Sequence, residues 1–339
     1  MDSSLKKILL SFILLIGLSI VSTYIDIDKH FEEPCEIVEI KTIYMAKDDE
    51  YLLADSEFIS QDENIVVNSN GVLVSKNVGT TLLIKECESI KVEVSDLYTA
   101  PIMSEEKEPL PCGRYTKEEN DYLDMILKYR IDEVGYKTRA GVVEAARFLL
   151  LRFPYHMNYF NENGRMGKNT CDGEGRYYHV GLYLNEYKTE DIIKSVKGPA
   201  PWGCPIYSYP RGKELNNSMD CSGFVSWCLL NGGFDPGDIG AGPSQKIFDL
   251  GDLGQRIKIN KESLDNIKVG DLLQQQWGHI AILIGKDDEY YYVGESNYDI
   301  DIRVSVMSKE DLIKSKFNVY VDMEEYYEHK DGNLSEMWY

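Results

Sequence analysis

Cys221 stands near the head of the run Met219-Asp220-Cys221-Ser222-Gly223-Phe224-Val225-Ser226-Trp227-Cys228-Leu229-Leu230, which closes on Asn231-Gly232-Gly233. A small polar residue at the start, apolar residues at Phe224, Val225, Cys228 and Leu229 and the Asn-Gly-Gly exit specify a short helix with Cys221 in its first turn. Unpaired amides and the macrodipole at a helix start stabilise an anion, so a thiol placed there ionises more readily and becomes a better nucleophile. Gly223 leaves room above the sulfur. Cys228, two turns along, reads as a small buried hydrophobe.

A thiolate nucleophile needs a base and a group that orients the base, and both come from distant parts of the chain. Val269-Gly270-Asp271-Leu272-Leu273 leads through Trp277-Gly278 into His279-Ile280-Ala281-Ile282-Leu283-Ile284-Gly285, an apolar strand headed by a histidine. Lys286 to Glu289 turn the chain, and the strand that follows brings Glu295 and Asn297 to where either could fix the imidazole tautomer. Of the five histidines, His30 and His329 lie near the ends and His156 and His179 in irregular aromatic segments, which leaves His279 best placed as base. A histidine heading a strand is ordinarily structural, and a Cys-Ser-Gly at a helix start is common by chance; their combination points to nucleophilic catalysis. Asp220, Ser222 and Trp277 are candidates for shaping a substrate site, with capping and packing as their alternative roles.

The pieces DCSGFV at 220–225, VGDLL at 269–273 and HIAILIG at 279–285 resemble, in order and spacing, the NlpC-type family of papain-like cell-wall peptidases. The resemblance covers about residues 190 to 300. It implies an α+β papain-like domain with an antiparallel sheet, Cys221 as nucleophile, His279 as base, no cofactor, and cleavage of peptidoglycan stem peptides between D-glutamate and the diamino acid. An amidase acting on muramoyl-alanine is the close rival. Two departures stand out. The family often has a histidine as third member, whereas this chain reads Tyr292-Val293-Gly294-Glu295-Ser296-Asn297, with Glu295 the first candidate and Asn297 the second. The family's Pro-Tyr-x-Trp-Gly pattern reads Pro199-Ala200-Pro201-Trp202-Gly203 here: Trp202 matches as a substrate-site residue, but Ala200 replaces a hydroxyl that Tyr155, Tyr207 or Tyr209 could supply. The Cys221 backbone amide stays available as an oxyanion donor. Two further function classes remain: a wall-binding protein that has lost catalysis, as the missing tyrosine suggests, and acyl transfer, since an amine can resolve an acyl-enzyme as water does.

The elements that must position these residues follow a long β-rich lead. From Cys35 to Asp96 short strand-like runs alternate with Asp, Asn, Gly and Lys turns, and Asn70-Gly71 asks for a tight turn of positive φ. The run SNGVLVSKNVGTTLLI resembles the bacterial immunoglobulin-like domain of group two, which implies a spacer or adhesive module. The expected organisation is therefore multidomain: residues 1–25 as signal peptide or membrane anchor, an all-β immunoglobulin-like sandwich at 33–97, a proline-bearing linker at 98–115, and helices leading into the papain-like domain at 116–335. Thr116 with Glu119 forms a capping-box pattern, and a second helix is expected from about Arg139 to Leu151, ending before Pro154.

Composition bounds the partners. With 339 residues and 43% hydrophobic content, the chain can build real cores. A net charge of −21 repels a phosphate backbone, so nucleic acid is not expected as a partner; peptidoglycan and the cell-wall surface are. Lys6 and Lys7 precede an uncharged run to Ile25, which reads as an export element and implies an extracellular or cell-surface location, secreted or anchored. Seven cysteines in an exported chain allow disulfides, with Cys35–Cys87 and Cys171–Cys204 as the expected bridges. No Cys-x-x-Cys pair is present and the histidines are scattered, so no metal is expected.

Overall fold

The computed structural model describes residues 35–109, 115–159, 219–234, 236, 253–275 and 278–335. The N-terminal part is all β: β1 Val38–Lys47, β2 Glu50–Leu52, β3 Ile59–Ser60, β4 Val66–Ser69, β5 Val72–Ser75, β6 Gly79–Lys85 and β7 Glu88–Thr99. They form two sheets, β1-β7-β6-β3 and β2-β5-β4, closed over Ile43, Met45, Phe58, Val66, Leu73, Leu83, Ile90, Val92 and Val94. The β4–β5 turn is made by Asn70 at φ 54° and Gly71 at φ 87°, the positive-φ pair that Asn-Gly tolerates best. One pairing in the sandwich is parallel: β1 and β7 run the same way, because the rest of the sandwich serves as the crossover between them. Cys35 and Cys87 are disulfide-bonded across the open end of this pair, with Cα atoms 5.7 Å apart. Cys171 and Cys204 lie outside the described residues.

Helices follow. Thr116 caps α1, Lys117–Val134, in a full capping box with Glu119. Thr138 caps α2, Arg139–Arg147, which passes directly into a π turn over Phe148–Arg152 and stops before Pro154. Asp220 caps α3, Cys221–Asn231, in which every residue is buried. α3 lies so close to α2 that a side chain on Gly232, just past its end, would strike the Val142 backbone. The remaining elements are β8 Gln255–Lys258, β9 Leu272–Gln275, β10 His279–Lys286, β11 Tyr290–Asn297, β12 Asp301–Ser308, α4 Lys309–Lys314 and β13 Val319–Asp322. They make one six-stranded sheet in the order β12-β11-β10-β9-β13-β8, with every pairing antiparallel.

Side-chain alternation along β10 divides the core in two. Ile280, Ile282 and Ile284 point to the helices and join Phe224, Val225, Cys228 and Leu229 of α3. Ala281 and Leu283 point the other way, into a second cluster with Leu273, Tyr291, Val293, Leu312, Phe317 and Tyr320.

The β sandwich is not loosely tethered. Asp49 and Arg152 form a buried ion pair at 2.5 Å, and the Tyr44 ring packs edge-on against Tyr122 and Tyr129 of α1. The segment expected to be a linker lies against the second unit over its described part: Ile102 N donates to Leu151 O, Ser104 Oγ to Ile302 O, and Lys107 Nζ to Leu150 O and Phe153 O. These last carbonyls are the orphan acceptors at the end of the π turn, so Lys107 acts as a helix cap supplied from a distance. Burial pulls its ammonium down to about 7. No helix among the described residues is long and apolar enough to cross a membrane, and the N-terminal apolar run lies outside them.

Candidate active site

Asp220 fixes the start of α3. Its carboxylate accepts from Gly223 N at 2.6 Å and from Ser222 Oγ at 2.9 Å, so Cys221 is the first residue of the helix and Ser222 is turned toward the cap. Capping is thus the visible role of Asp220 and Ser222. Cys221 is 8% exposed, while Cys228 is fully enclosed and burial pushes its thiol well up, consistent with a packing role.

His279 heads β10 and is buried. Its Nε2 lies 2.6 Å from Glu295 Oε2, and Asn297 Nδ2 lies 3.4 Å from the same oxygen. Glu295 is therefore the residue that holds the imidazole, and Asn297 supports the carboxylate rather than the ring. Two further donors complete the shell: Ser305 Oγ gives a hydrogen bond to Oε1 at 2.5 Å and Lys316 Nζ one to Oε2 at 2.9 Å. Phe317 lays its ring 5.8 Å from the imidazole at 35°. Burial alone would raise the Glu295 carboxyl; hydrogen bonds from His279 and Ser305 and the charges of His279 and Lys316 outweigh it and hold the group at about 2.

A group held below its ordinary value of 4.5 adds stability that is fully present above that pH and is lost as pH falls toward about 2. Glu295→Gln should flatten that acid limb. Urea unfolding of both proteins at pH 7 and pH 3 measures this, and parallel losses for the two would contradict it.

The cysteine segment reaches this neighbourhood through the next residue of β11. Ser296 Oγ donates to Met219 O at 2.7 Å, which ties the chain two residues before Cys221 to the residue after Glu295. α3 packs on β10 and β11. The faces differ, however. His279 and Glu295 lie in the alternation of Ala281 and Val293, on the side of the second cluster, and the His279–Phe317 contact agrees; α3 covers the opposite side. The strand end, where Ser296 and Met219 are joined, is where the cysteine segment comes round to the side of the imidazole.

Trp202, Trp277, Tyr207 and Tyr209 lie outside the described residues. Tyr155 is described, and its ring packs against Tyr115 and Phe153. Asp271 of the Val-Gly-Asp run serves the fold, accepting from Arg139 Nη1, Lys268 N and Met323 N. Sequence reasoning missed Ser305 and Lys316. Ser305 could have been found from the alternation of β12 beside β11, whereas nothing local marks Lys316. Among the described residues no group of three His, Cys, Asp or Glu side chains is arranged to hold a metal ion. No protein-family model, no curated protein and no solved structure matches the chain.

Proposed function

We propose that this chain is an exported cysteine peptidase with a papain-like domain that cuts peptide bonds in peptidoglycan stem peptides, using Cys221 as nucleophile, His279 as base and Glu295 as the orienting third member. The observation that carries the reading is the buried 2.6 Å contact between His279 Nε2 and Glu295 Oε2 beside the strand end that grips the cysteine segment. With Nε2 engaged, Nδ1 is the nitrogen left to take a proton, which fixes the tautomer a base needs. Proton transfer from Cys221 to Nδ1 gives the thiolate, which attacks the scissile carbonyl. The amine leaves with that proton, and water then releases the acyl group from sulfur. The Cys221 amide at the α3 start is the candidate oxyanion donor. The sequence resemblance to NlpC-type peptidases supplies the substrate class, and the group-two immunoglobulin-like reading of the sandwich suits a wall-facing protein. Stem peptides and the wall surface are the proposed partners, with the N-terminal run as export signal or anchor.

One observation favours a second reading, a wall-binding protein without catalysis: the His279–Glu295 pair faces the side of the sheet opposite α3. Residues 33–339, kept whole because Asp49 pairs with Arg152, and the Cys221→Ala form should be incubated with peptidoglycan and the released fragments weighed. New stem-peptide fragments that vanish in the variant are expected, and their masses name the bond. Intact wall carrying bound protein would favour the second reading.

A further inference from the structure

Glu295 Oε2 is shared. It receives His279 Nε2 at 2.6 Å and Lys316 Nζ at 2.9 Å, while Oε1 receives Ser305. The carboxylate is 1% exposed and the lysine side chain 31%, so the ammonium reaches in from the surface to a buried anion. Its position is prepared by its neighbours. Ser315 Oγ accepts from Phe317 N, the Lys316 ammonium stands 5.4 Å from the Phe317 ring centre, and that ring packs on the imidazole. Among the described residues, those that face the imidazole from the surrounding elements include Gln275 opposite it on β9, Glu295 and Asn297 on β11, and Lys316 with Phe317 before β13. Arg303 stands opposite Glu295 on β12, and no ion pair joins the two among the described residues.

A bare carboxylate this close to an imidazole orients it well but also stabilises the imidazolium, which cannot accept a proton from a thiol. A cation on the same oxygen cancels most of that charge and leaves the hydrogen bond. We propose that Lys316 is a positioning residue that neutralises Glu295, so that the carboxylate orients His279 as a hydrogen-bonding partner rather than as a bare counter-ion. Lys316 and Glu295 together then act as a charge-neutral hydrogen-bonding partner, the job an amide side chain could do alone. The catalytic consequence rests on the peptidase reading; the electrostatic one does not.

The test follows the His279 ring by NMR titration in the full chain, assigned with His279→Gln, for the native protein, Lys316→Met and Lys316→Arg. Removing the cation that shares Glu295 Oε2 with the imidazole leaves the full carboxylate charge acting on the ring, so the His279 titration should move to higher pH in the variant. Lys316→Met is expected to show that shift and Lys316→Arg to stay near the native value. If peptidoglycan is cut, the acid limb of kcat/KM moves up with it in the methionine variant alone. A titration of His279 unmoved by Lys316→Met overturns the inference. A shift in a protein that cuts no peptidoglycan leaves the Lys316 role standing and removes the peptidase reading instead.

Discussion

Arg139→Met should lower the free energy of unfolding by about 3–5 kcal/mol, because it leaves a buried carboxylate without its cation. Arg139 is 2% exposed and stands at the first position of α2, where its guanidinium reaches Asp271 at 2.9 Å, Glu324 at 2.7 Å, Asp331 at 3.1 Å and the Val269 carbonyl at 3.1 Å. The Tyr327 ring sits 4.9 Å from it. One residue thus joins the helical layer to the β9 approach and to the C-terminal segment. Asp271 already has a raised carboxyl, because burial outweighs the amides of Lys268 and Met323 and the charge of Arg139. Removing the arginine pushes it further up, and a raised carboxyl means stability is lost as pH rises above the ordinary carboxylate range. The deficit of Arg139→Met relative to the native chain should therefore be larger at pH 7 than at pH 4, as read by urea unfolding. A deficit under about 1 kcal/mol at pH 7 would mean that Asp271 relaxes to water, and would remove the central role assigned to this network.

The Arg139 network also marks where sequence reasoning stops. Features set by neighbours in the chain were legible: Thr116 with Glu119 as a capping box, Asn70-Gly71 as a positive-φ turn, Asp220 and Cys221 as cap and first residue of a helix. Each depends on backbone groups within four residues. The Cys35–Cys87 bridge was legible because these are the two cysteines that fall within the one β module. Glu295 was legible as well, since an antiparallel hairpin brings the end of β11 beside the start of β10. Arg139 with Asp271, and Asp49 with Arg152, join positions more than a hundred residues apart, and no spacing rule links them. Lys316 sits in an irregular stretch after α4, where a lysine reads as a solvated charge. Only folding gives it a buried carboxylate to meet. The contacts of segment 98–109 were not legible for a related reason: prolines and charges mark a linker, and only the fold shows its Ser104 hydroxyl, Lys107 ammonium and backbone amides satisfying carbonyls on β12 and the π turn that would otherwise be buried without donors.

The face on which His279 lies was not legible either, and it makes the second large prediction the decisive one for catalysis. Strand alternation puts the His279–Glu295 pair with Ala281 and Val293, while α3 covers Ile280 and Ile282. If the thiol and the imidazole communicate around the strand end, the neutral imidazole takes the thiol proton, and the imidazolium formed by that transfer stabilises the thiolate beside it. His279→Ala should then lower turnover by on the order of 10³-fold and move the alkylation of Cys221 to higher pH. Alkylation is followed at the Cys221 peptide by mass spectrometry, so that the other cysteines do not enter; Cys228 is in any case enclosed, with its thiol pushed up. Ser296→Ala separates the two halves of the coupling. It frees the Met219 carbonyl that the serine grips at 2.7 Å but leaves the His279–Glu295 contact in place, so the imidazole should titrate as in the native chain while the thiol loses reactivity. An alkylation profile for His279→Ala that overlays the native one would show that the pair and the thiol do not act together. His279 and Glu295 would then be a buried hydrogen-bonded pair that stiffens the sheet, and Cys221 the first residue of a core helix.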